Sequence, residues 1–305
     1  MSLYEKYRPQ DFGDIIGNTP LIASMEAYLK LEGHGHAILL AGPTGCAKTS
    51  LAQILARKLG AKGRDIVEIN VGDLRGIDAA RDILPQIKLR PIESSVKVWI
   101  LEESQQGMAG FQNLLLRPLE NTPSHVYFIL TTTEPLKIIE PVRNRCVKFY
   151  VQPLPESRIA YLLQKVADAE GKPLPKEIKD HIAKVSQGIP RDALSMLENV
   201  LLLDPEQQVR AIQQISVEES EAIALCRALA ERRPWAEVRK IINGLQTTNI
   251  EQIRITVLNY FNKVILSKDD PEPAVYLIID SFKDNFYSSG KAGLAKACFD
   301  VIYGK

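Results

Sequence analysis

A glycine-rich loop near residue 45 carries the residues best suited to chemistry. It comprises Gly42, Pro43, Thr44, Gly45, Cys46, Ala47, Lys48 and Thr49, followed by Ser50. Between a buried strand and a helix, such a loop aims backbone N–H groups and the positive helix end at one point, which suits a triphosphate. Lys48 would reach the β- and γ-phosphates, and Thr49 would place its hydroxyl on Mg²⁺. The loop predicts an ATP site, and the alternative is a tight strand-to-helix turn with a solvated lysine.

At one position the loop departs from the strict phosphate-binding pattern. The pattern has glycine directly before the lysine, whereas this chain has Ala47. Alanine adds one methyl group and adopts helical dihedrals readily. Because position 47 would already be entering the helix, we expect the departure to be mild.

Two adjacent glutamates after an apolar run supply the acidic groups that ATP hydrolysis needs. Glu102 and Glu103 directly follow residues 96–101 (Val-Lys-Val-Trp-Ile-Leu). One carboxylate would hold the Mg²⁺ shell, and the other would orient the attacking water. Aspartate is usual at the first position, and glutamate moves the carboxylate by about 1 Å in a site sensitive to such shifts, which favours slower hydrolysis. The alternative is two solvated glutamates after a core strand.

These groups need a parallel sheet to bring them together, and the first half of the sequence predicts one. Short apolar, β-branched runs alternate with longer helical patterns, which is typical of strands covered by helices on both faces. The five strand candidates are Ala37–Ala41, Ile66–Asn70, 96–101, 126–130 and 147–151. After the first of them, Leu51, Leu55 and Leu59 recur at helical spacing and would face the sheet. We therefore predict an α/β fold for this half.

A proline-rich break at residues 152–155 (Gln-Pro-Leu-Pro) separates the α/β region from a sequence that is almost entirely helical. Helical patterns cover 156–169, 175–186 and 191–203, and a second break follows at Asp204 and Pro205. We expect three domains, namely a nucleotide-binding domain at 1–151, a small helical domain at 152–204 and a helical packing or assembly domain at 205–305.

Composition limits the remaining possibilities. The 305 residues include 38 basic and 37 acidic ones, and the net charge of +1 excludes a global electrostatic grip on nucleic acid but not a local basic stripe. The four cysteines are far apart and form no CxxC pair, so neither zinc nor disulfides are expected. No apolar run has the length of a signal-peptide core or a membrane span, so we expect a cytoplasmic protein without a membrane partner.

Further motifs, in the right order, resemble those of the clamp-loader branch of AAA+ ATPases, which includes bacterial polymerase III gamma/tau and the small subunits of replication factor C. They are residues 4–9 (Tyr-Glu-Lys-Tyr-Arg-Pro), 36–40 (His-Ala-Ile-Leu-Leu), 75–78 (Arg-Gly-Ile-Asp), 113–120 (Asn-Leu-Leu-Leu-Arg-Pro-Leu-Glu), 131–135 (Thr-Thr-Thr-Glu-Pro), 143–146 (Arg-Asn-Arg-Cys) and 188–193 (Gly-Ile-Pro-Arg-Asp-Ala). The resemblance covers residues 1–203. It implies an AAA+ domain with a five-stranded parallel sheet, a helical lid domain and an all-α collar domain. The gamma/tau subunits also carry four zinc-binding cysteines that this chain lacks, which favours a replication factor C small subunit or a phage-type relative.

The resemblance also implies roles for individual residues. The residues expected against the nucleotide base are Tyr7, Arg8 and Pro9. Thr132 would sense the γ-phosphate from a strand end, and Arg191 would do so from the lid, coupling nucleotide state to the angle between the domains. Arg145 would be an arginine finger that reaches the ATP of a neighbouring subunit. The alternatives are a plain strand-forming threonine and ordinary surface arginines.

Two further sets of residues are candidates for contacts with macromolecules. Gln105, Met108 and Phe111 have a spacing that resembles the Gln-x-x-aliphatic-x-x-aromatic motif of clamp-binding peptides, and the alternative is packing on the domain's own core. By family position, the candidates for contacts with DNA phosphates are Arg75, Arg81 and Arg117. The alternative for each is an ordinary solvated or paired arginine.

Together the residues and the resemblance predict a subunit of an ATP-driven DNA sliding-clamp loader. It would bind ATP and Mg²⁺, assemble with other loader subunits in a pentamer, open the clamp at primer–template DNA and release it on hydrolysis. It would act at the nucleoid, or in the host cytoplasm if its source is a phage. Two alternatives remain open: a hydrolysis-deficient structural subunit that presents Arg145 to an active neighbour, and another AAA+ activity on DNA such as branch migration or helicase loading.

Overall fold

Five parallel strands form a sheet in the computed structural model, in the order β2-β3-β4-β1-β5. The strands are β1 (Ala37–Ala41), β2 (Ile66–Asn70), β3 (Lys97–Glu102), β4 (Val126–Thr132) and β5 (Val147–Tyr150). The predicted α/β class and all five strand candidates are therefore confirmed. Because β1 pairs with both β4 and β5, strands far apart in sequence end at the same edge.

The structure describes residues 1–73, 85–87, 89–107, 109–245, 250–267 and 272–304. The chain divides into two compact units, Met1–Leu202 and Leu203–Lys305. The second unit begins next to the expected boundary between 204 and 205. Residues 1–151 and nearly all of 152–204 fall within the first unit, so the boundary expected at 151 stays a prediction.

Helices flank the sheet and continue after it within the first unit. They are α1 (Leu3–Lys6), α2 (Thr19–Lys30), α3 (Lys48–Lys58), α4 (Ala109–Glu120), α5 (Glu140–Arg143), α6 (Glu156–Ala169), α7 (Lys176–Val185) and α8 (Pro190–Leu201). The last three agree with the helical patterns that follow the proline-rich break. Proline opens α8 at a position where its missing N–H would have no partner inside the helix.

Both faces of the central strands β1, β3 and β4 are largely buried, which explains why these strands are apolar at nearly every position. The edge strands β2 and β5 are more exposed. On one face, Leu40 shares a core cluster with Leu51 and Leu55 of α3. On the other face, Trp99 shares a cluster with Phe111 of α4. Successive strand residues point to opposite faces, so a strand covered on both sides has no solvent-facing row to fill with polar residues.

The carboxyl ends of β1, β3 and β4 meet at the edge that carries the chemistry. Ala41 is in register with Thr132, and Asn70 with Glu102. The Gly42 N–H donates to the Thr132 carbonyl over 3.1 Å, which fixes the start of the glycine-rich loop beside β4. Parallel pairing thus brings the acidic end of β3 and the glycine-rich loop to one edge.

The second unit is helical in its described residues. It contains α9 (Pro205–Ala230), α10 (Trp235–Gly244), α11 (Ile250–Leu266), α12 (Pro273–Phe282) and α13 (Gly290–Tyr303). Its buried charge is fully paired: Glu251 is 8% exposed, accepts from Arg254 Nε over 2.7 Å and accepts from the Phe286 N–H over 2.8 Å. Across the described ranges, the helices lack the combination of length and apolar character that crossing a membrane requires.

Candidate functional site

A cavity of about 550 Å³ lies inside the first unit, at the carboxyl edge of the sheet. Its walls come from the N-terminal segment, the glycine-rich loop, the end of β3 and the helices α6 and α8. The residues that line it include Tyr4, Tyr7, Arg8, Pro9, Thr44, Gly45, Cys46, Ala47, Lys48, Thr49, Ser50, Glu102, Glu103 and Arg191. The volume falls within the range of small-molecule sites, roughly 300–1,000 Å³.

Close backbone packing explains the two glycines of the loop. A Cβ on Gly42 would lie 2.5 Å from the Val151 carbonyl oxygen. Gly45 has a φ of +75°, and a Cβ there would lie 2.6 Å from Ile189 Cγ2. The Arg191 N–H also donates to the Gly45 carbonyl over 3.4 Å. The loop is therefore held between the end of β5 and the start of α8, and larger residues would push these elements apart.

The structure corrects the expectation for Ala47. This residue immediately precedes α3 and has a φ of 67° and a ψ of 21°, which is left-handed backbone and not the right-handed helical geometry that we expected. In that conformation the Cβ of a non-glycine residue crowds the following carbonyl oxygen, at a cost of about 1–2 kcal/mol. The expectation that the substitution is mild is wrong for the backbone, because glycine would adopt the same geometry without the strain.

Lys48, the first residue of α3, is a buried cation with backbone partners. It is 6% exposed, and its Nζ donates to the carbonyls of Gly42 over 2.9 Å and Pro43 over 3.0 Å. Burial lowers the pKa of Lys48, and the charge of Glu103 partly opposes this effect. Phosphate oxygens would favour the charged lysine more strongly than neutral carbonyl groups do. The position of Lys48 therefore suits an anionic ligand.

Glu102 ends β3 and fits a divalent cation. Its Oε1 is buried and has no hydrogen-bond partner among the described residues. Leaving a buried carboxylate oxygen without a partner is costly, and Mg²⁺ prefers oxygen ligands. Together with the Thr49 hydroxyl on the first turn of α3, Glu102 supplies such oxygens to the cavity. The residues present therefore fit Mg²⁺ bound together with a triphosphate.

A metal ion would depend on the nucleotide for most of its ligands. Within the ranges that the structure describes, no group of three or more His, Cys, Asp and Glu side chains could hold a metal ion alone. Mg²⁺ at phosphate sites keeps one or two protein ligands and takes the others from phosphates and water. The small protein donor set is thus the one expected for a nucleotide-bound ion.

The N-terminal segment reaches both the phosphate loop and the helices after the sheet. Arg8 Nε donates to Ser50 Oγ over 3.2 Å. Tyr7 Oη and Lys6 Nζ donate to the same oxygen of Glu170, over 2.6 and 2.8 Å, and these bonds hold the pKa of Glu170 below its ordinary value. Glu170 was not among the predicted residues, because a single acid after an amphipathic helix belongs to no recognisable motif.

Arg191 lies at the cavity as the resemblance predicts. It is exposed, lines the cavity and is the second residue of α8. Its guanidinium carbon is 5.5 Å from the centroid of the Tyr4 ring, a distance typical of a cation–π contact. The structure therefore brings Arg191 to the glycine-rich loop, and its partner Tyr4 is a second residue for which no role was predicted.

The hydroxyl of Thr132, the predicted phosphate sensor, has hydrogen-bond partners within the protein. Thr132 is 0% exposed, donates its hydroxyl proton to Gln105 Oε1 over 2.8 Å and accepts from the Glu134 N–H over 3.0 Å. The sensor role of Thr132 stays a prediction, and the neighbouring Thr133 is a second candidate. The Thr133 hydroxyl is partly exposed and accepts from Gln105 Nε2 over 2.9 Å, a bond that does not use its proton. Three threonines in a row give no sequence signal that distinguishes them.

Arg145 lies outside the cavity. Its Nη1 donates to the Pro141 carbonyl over 2.7 Å, and its Nη2 forms an ion pair with Glu120 at the end of α4. Arg145 is not among the residues that line this chain's own cavity. Its action on the ATP of a neighbouring subunit stays a prediction.

The structure separates the predicted clamp-binding residues. Phe111 is 6% exposed and packs in the core cluster beneath the sheet, so the alternative of core packing holds for this residue. Gln105 lies in a turn after β3 and bonds to Glu103 and the threonines of β4. Met108 lies outside the described residues. The burial of Phe111 and the hydrogen bonds of Gln105 therefore do not support a clamp contact through these two side chains.

One of the three predicted DNA-contacting arginines can be placed. Arg117 is exposed near the end of α4, as a phosphate contact requires. Arg75 and Arg81 lie outside the described residues. Arg117 therefore remains a candidate for contact with DNA on the grounds of exposure alone.

Comparisons of sequence point to replication proteins. The family described as DNA polymerase III, delta subunit, matches residues 61–155. The chain is 27% identical to the DNA polymerase III subunit gamma/tau of Mycobacterium bovis, over 93% of this chain and 54% of the relative. It is 27% identical to the subunit tau of Bacillus subtilis, over 96% of this chain and 53% of the relative. The subunit gamma of Buchnera aphidicola is 31% identical over 66% of this chain and 62% of the relative.

The chain spans about half the length of the first of these relatives. Comparison of structures finds Thermotoga maritima RuvB, a mutant of which aligns with a TM-score of 0.58 at 18% identity, over 73% of this chain and 80% of that chain. A second chain, whose title describes a Holliday junction branch migration motor, gives a TM-score of 0.54 at 22% identity, over 64% of this chain and 65% of that chain. At these identities the likeness concerns the fold alone, and it agrees with the parallel sheet and flanking helices.

Proposed function

We propose that this chain, which belongs to the bacterial-type clamp-loader AAA+ ATPases, is an ATP-hydrolysing subunit of a DNA sliding-clamp loader. In this role it binds ATP with Mg²⁺, joins other loader subunits in a pentameric assembly and holds the sliding clamp open at primer–template DNA. Hydrolysis then releases the clamp. Clamp loading takes place in the cytoplasm, at the nucleoid, where the DNA is.

The observation that carries the proposal is that four of the predicted site residues line the cavity, whereas the predicted arginine finger does not. Lys48, Glu102, Glu103 and Arg191 line one cavity with the glycine-rich loop, whereas Arg145 lies outside it. A cavity that binds a triphosphate while its expected arginine lies elsewhere is completed only by a neighbouring subunit. Such a shared site suits a machine that hydrolyses ATP after assembly, as a clamp loader does.

Each residue then has a task that its position allows. Loop N–H groups and Lys48 bind the phosphates, while Thr49 and Glu102 hold Mg²⁺, which neutralises charge on the phosphates. Glu103 accepts the proton of the attacking water, and Arg145 from the neighbouring subunit stabilises charge on the transferred phosphoryl group. The glutamate at position 102 in place of aspartate slows this step, because the longer side chain shifts the carboxylate by about 1 Å.

Capture of the cognate sliding clamp tests the proposal. The tagged chain, assembled with its partner subunits, should retain the clamp in ATP with Mg²⁺ and release it in ADP. Lys48→Ala should abolish retention in ATP, whereas Lys30→Ala, which changes an exposed lysine on α2, should retain the clamp normally. Equal retention in ATP, in ADP and without nucleotide would contradict the proposal.

One alternative has structural support, namely a structural subunit that binds ATP without hydrolysing it. The left-handed Ala47 strains the phosphate loop, and Glu102 departs from the usual aspartate. The alternative is tested by placing Lys48→Ala in this chain alone and measuring ATP turnover of the whole assembly. A fall in turnover supports the hydrolysing subunit, and unchanged turnover supports the structural one. Arg145→Ala in the same assembly should lower turnover under either reading, because the arginine serves the neighbouring site.

A further inference from the structure

Gln105 joins the acidic end of β3 to the threonines at the end of β4. Its Nε2 donates to Glu103 Oε2 and, over 2.9 Å, to Thr133 Oγ1. Its Oε1 accepts from Thr132 Oγ1 over 2.8 Å. Because a carboxylate can only accept hydrogen bonds, the amide must turn Nε2 toward Glu103. Both N–H groups and the oxygen of this amide are therefore used, and the two bonds to threonines link the turn after β3 to the end of β4.

The turn that carries Gln105 is held by its own contacts. Glu103 has a φ of 50° and a ψ of 43°, so left-handed backbone bends the chain sharply after β3. Ser104 is 2% exposed, and its hydroxyl donates to the Leu101 carbonyl over 2.8 Å. A Cβ on Gly107 at the end of the turn would lie 2.7 Å from Phe111 Cδ1. Left-handed backbone at a non-glycine residue persists only where its surroundings impose it, so this turn fixes the position of Glu103.

The partners of Gln105 are groups that the proposed reaction would use. Glu103 lines the cavity and is the carboxylate that would orient the attacking water. Thr133 directly follows β4 and is partly exposed. A reaction of this kind is sensitive to displacement of such groups by about 1 Å. Without Gln105, the Glu103 side chain would be free to rotate, and the distance between the carboxylate and the Thr133 hydroxyl would no longer be set.

We propose that Gln105 is a positioning residue for ATP hydrolysis, which rests on the proposed function of the chain. It binds one carboxylate oxygen of Glu103, leaves the other oxygen available for the attacking water, and holds the Thr133 hydroxyl at a fixed distance from that carboxylate. An amide suits this task because it donates two hydrogen bonds at once and stays neutral at every working pH. Gln105 acts through Glu103 and Thr133 and does not itself touch the nucleotide.

The test compares ATP affinity with ATP hydrolysis. Gln105→Leu keeps the approximate volume of the side chain and removes its hydrogen bonds. In the assembled complex it should lower single-turnover hydrolysis by about 10–100-fold, because a small misplacement of a reacting group has effects of this size, while the Kd for ATP stays within about twofold. Gln106→Leu is the matched control: it changes the neighbouring, exposed glutamine and should hydrolyse ATP like the wild type.

A double substitution shows whether the effect passes through Glu103. In a Glu103→Gln background, which already lacks the carboxylate, adding Gln105→Leu should lower hydrolysis no further. A loss in that background as large as in the wild type would overturn the proposal, as would hydrolysis by Gln105→Leu within twofold of the wild type. A purely structural role predicts loss of ATP affinity and of thermal stability along with hydrolysis, which would equally overturn it.

A second variant keeps the proposal testable if Gln105→Leu folds poorly. Gln105→Glu keeps the length of the side chain and the acceptor for Thr132, but it loses both N–H donors and places a second carboxylate against Glu103. It should hydrolyse ATP at least as slowly as Gln105→Leu, and full activity would overturn the proposal. If the wild-type assembly itself neither binds nor hydrolyses ATP, the proposed function fails, and the role of Gln105 fails with it. If the wild type is active and the variants match it, only the role of Gln105 fails.

Discussion

The buried charged groups at the cavity of the first unit differ in their partners from the buried carboxylate of the second unit. In the second unit, Glu251 is satisfied within the protein by Arg254 and by the Phe286 N–H. At that cavity, Lys48 donates hydrogen bonds to two carbonyl groups, and Glu102 Oε1 has no hydrogen-bond partner among the described residues. Since burying a charge is costly without compensation, the first arrangement stabilises a fold and the second is completed by a ligand. The contrast separates a structural charge from a functional one by its partners alone.

Removal of the paired charge in the second unit should have the largest effect on stability. Glu251→Ala removes the carboxylate that pairs with the half-buried Arg254 and leaves the buried Phe286 N–H without its acceptor, and breaking a buried pair in this way costs about 3 kcal/mol in the free energy of unfolding. Urea denaturation of the full chain, followed by circular dichroism, measures the loss. ATP affinity should stay unchanged, because Glu251 is not among the residues that line the cavity. A loss of stability below about 1 kcal/mol would mean that this pair contributes no more than an exposed one does.

Lys48→Ala should lower the affinity for ATP and leave the stability of the fold unchanged. Loss of a charge-assisted contact with phosphate costs about 2–3 kcal/mol, so the Kd for ATP should rise by about 100-fold. The free energy of unfolding should not fall, because the substitution removes a buried cation whose partners are two carbonyl groups. Isothermal titration with ATP and Mg²⁺ measures the affinity, and thermal denaturation measures the stability. A large loss of stability with intact affinity would place Lys48 with Glu251 as a structural charge.

Asp65 provides a structural carboxylate within the first unit, and it should respond to pH. It is 1% exposed and accepts from the N–H groups of Ile92, Glu93 and Ser94 and from the Ser94 hydroxyl. Burial alone would raise its pKa, but these bonds outweigh burial and hold the pKa of Asp65 below its ordinary value. Asp65→Asn places an NH₂ group against donors and should cost about 2 kcal/mol at neutral pH.

The pH dependence follows from the sign of that shift. Because the pKa is lower in the folded protein, the stabilisation by Asp65 is fully present above the ordinary aspartate pKa and is lost as the pH falls through the folded value. The difference in stability between the wild type and Asp65→Asn should therefore shrink below about pH 4. Denaturation at a series of acidic pH values checks this, and a difference that stays constant down to pH 2 would argue against the role given to Asp65.

Ala47→Gly should have the smallest effect on stability, and it should stabilise the fold. Glycine adopts left-handed backbone without strain, but it also gains freedom in the unfolded chain, so the net stabilisation should be at most about 1 kcal/mol. The variant should also bind ATP at least as tightly as the wild type, because the loop no longer stores strain at the phosphates. Thermal denaturation and ATP titration of the same sample measure both effects. Destabilisation by glycine would show that position 47 is not strained.

The sequence by itself determined the framework of the site. The five strands were predicted from apolar runs, because strands covered on both faces are apolar at nearly every position. The glycine-rich loop and the acidic end of β3 were found because their residue types are needed at fixed spacing around a phosphate, whereas Arg191 was found through the resemblance to clamp loaders. The parallel order then guarantees that these strand ends share one edge.

Only the tertiary structure decided which side chains are available at that edge. The backbone of Ala47, the partners of the Thr132 hydroxyl and the burial of Phe111 all depend on contacts between elements far apart in sequence. Gln105 shows the reason most clearly: spacing placed it in a clamp-binding motif, but its amide bonds to residues on the neighbouring strand. Sequence periodicity determines which residues are buried, whereas the partner of each polar group is determined by the register and spacing of strands that meet only in the folded protein.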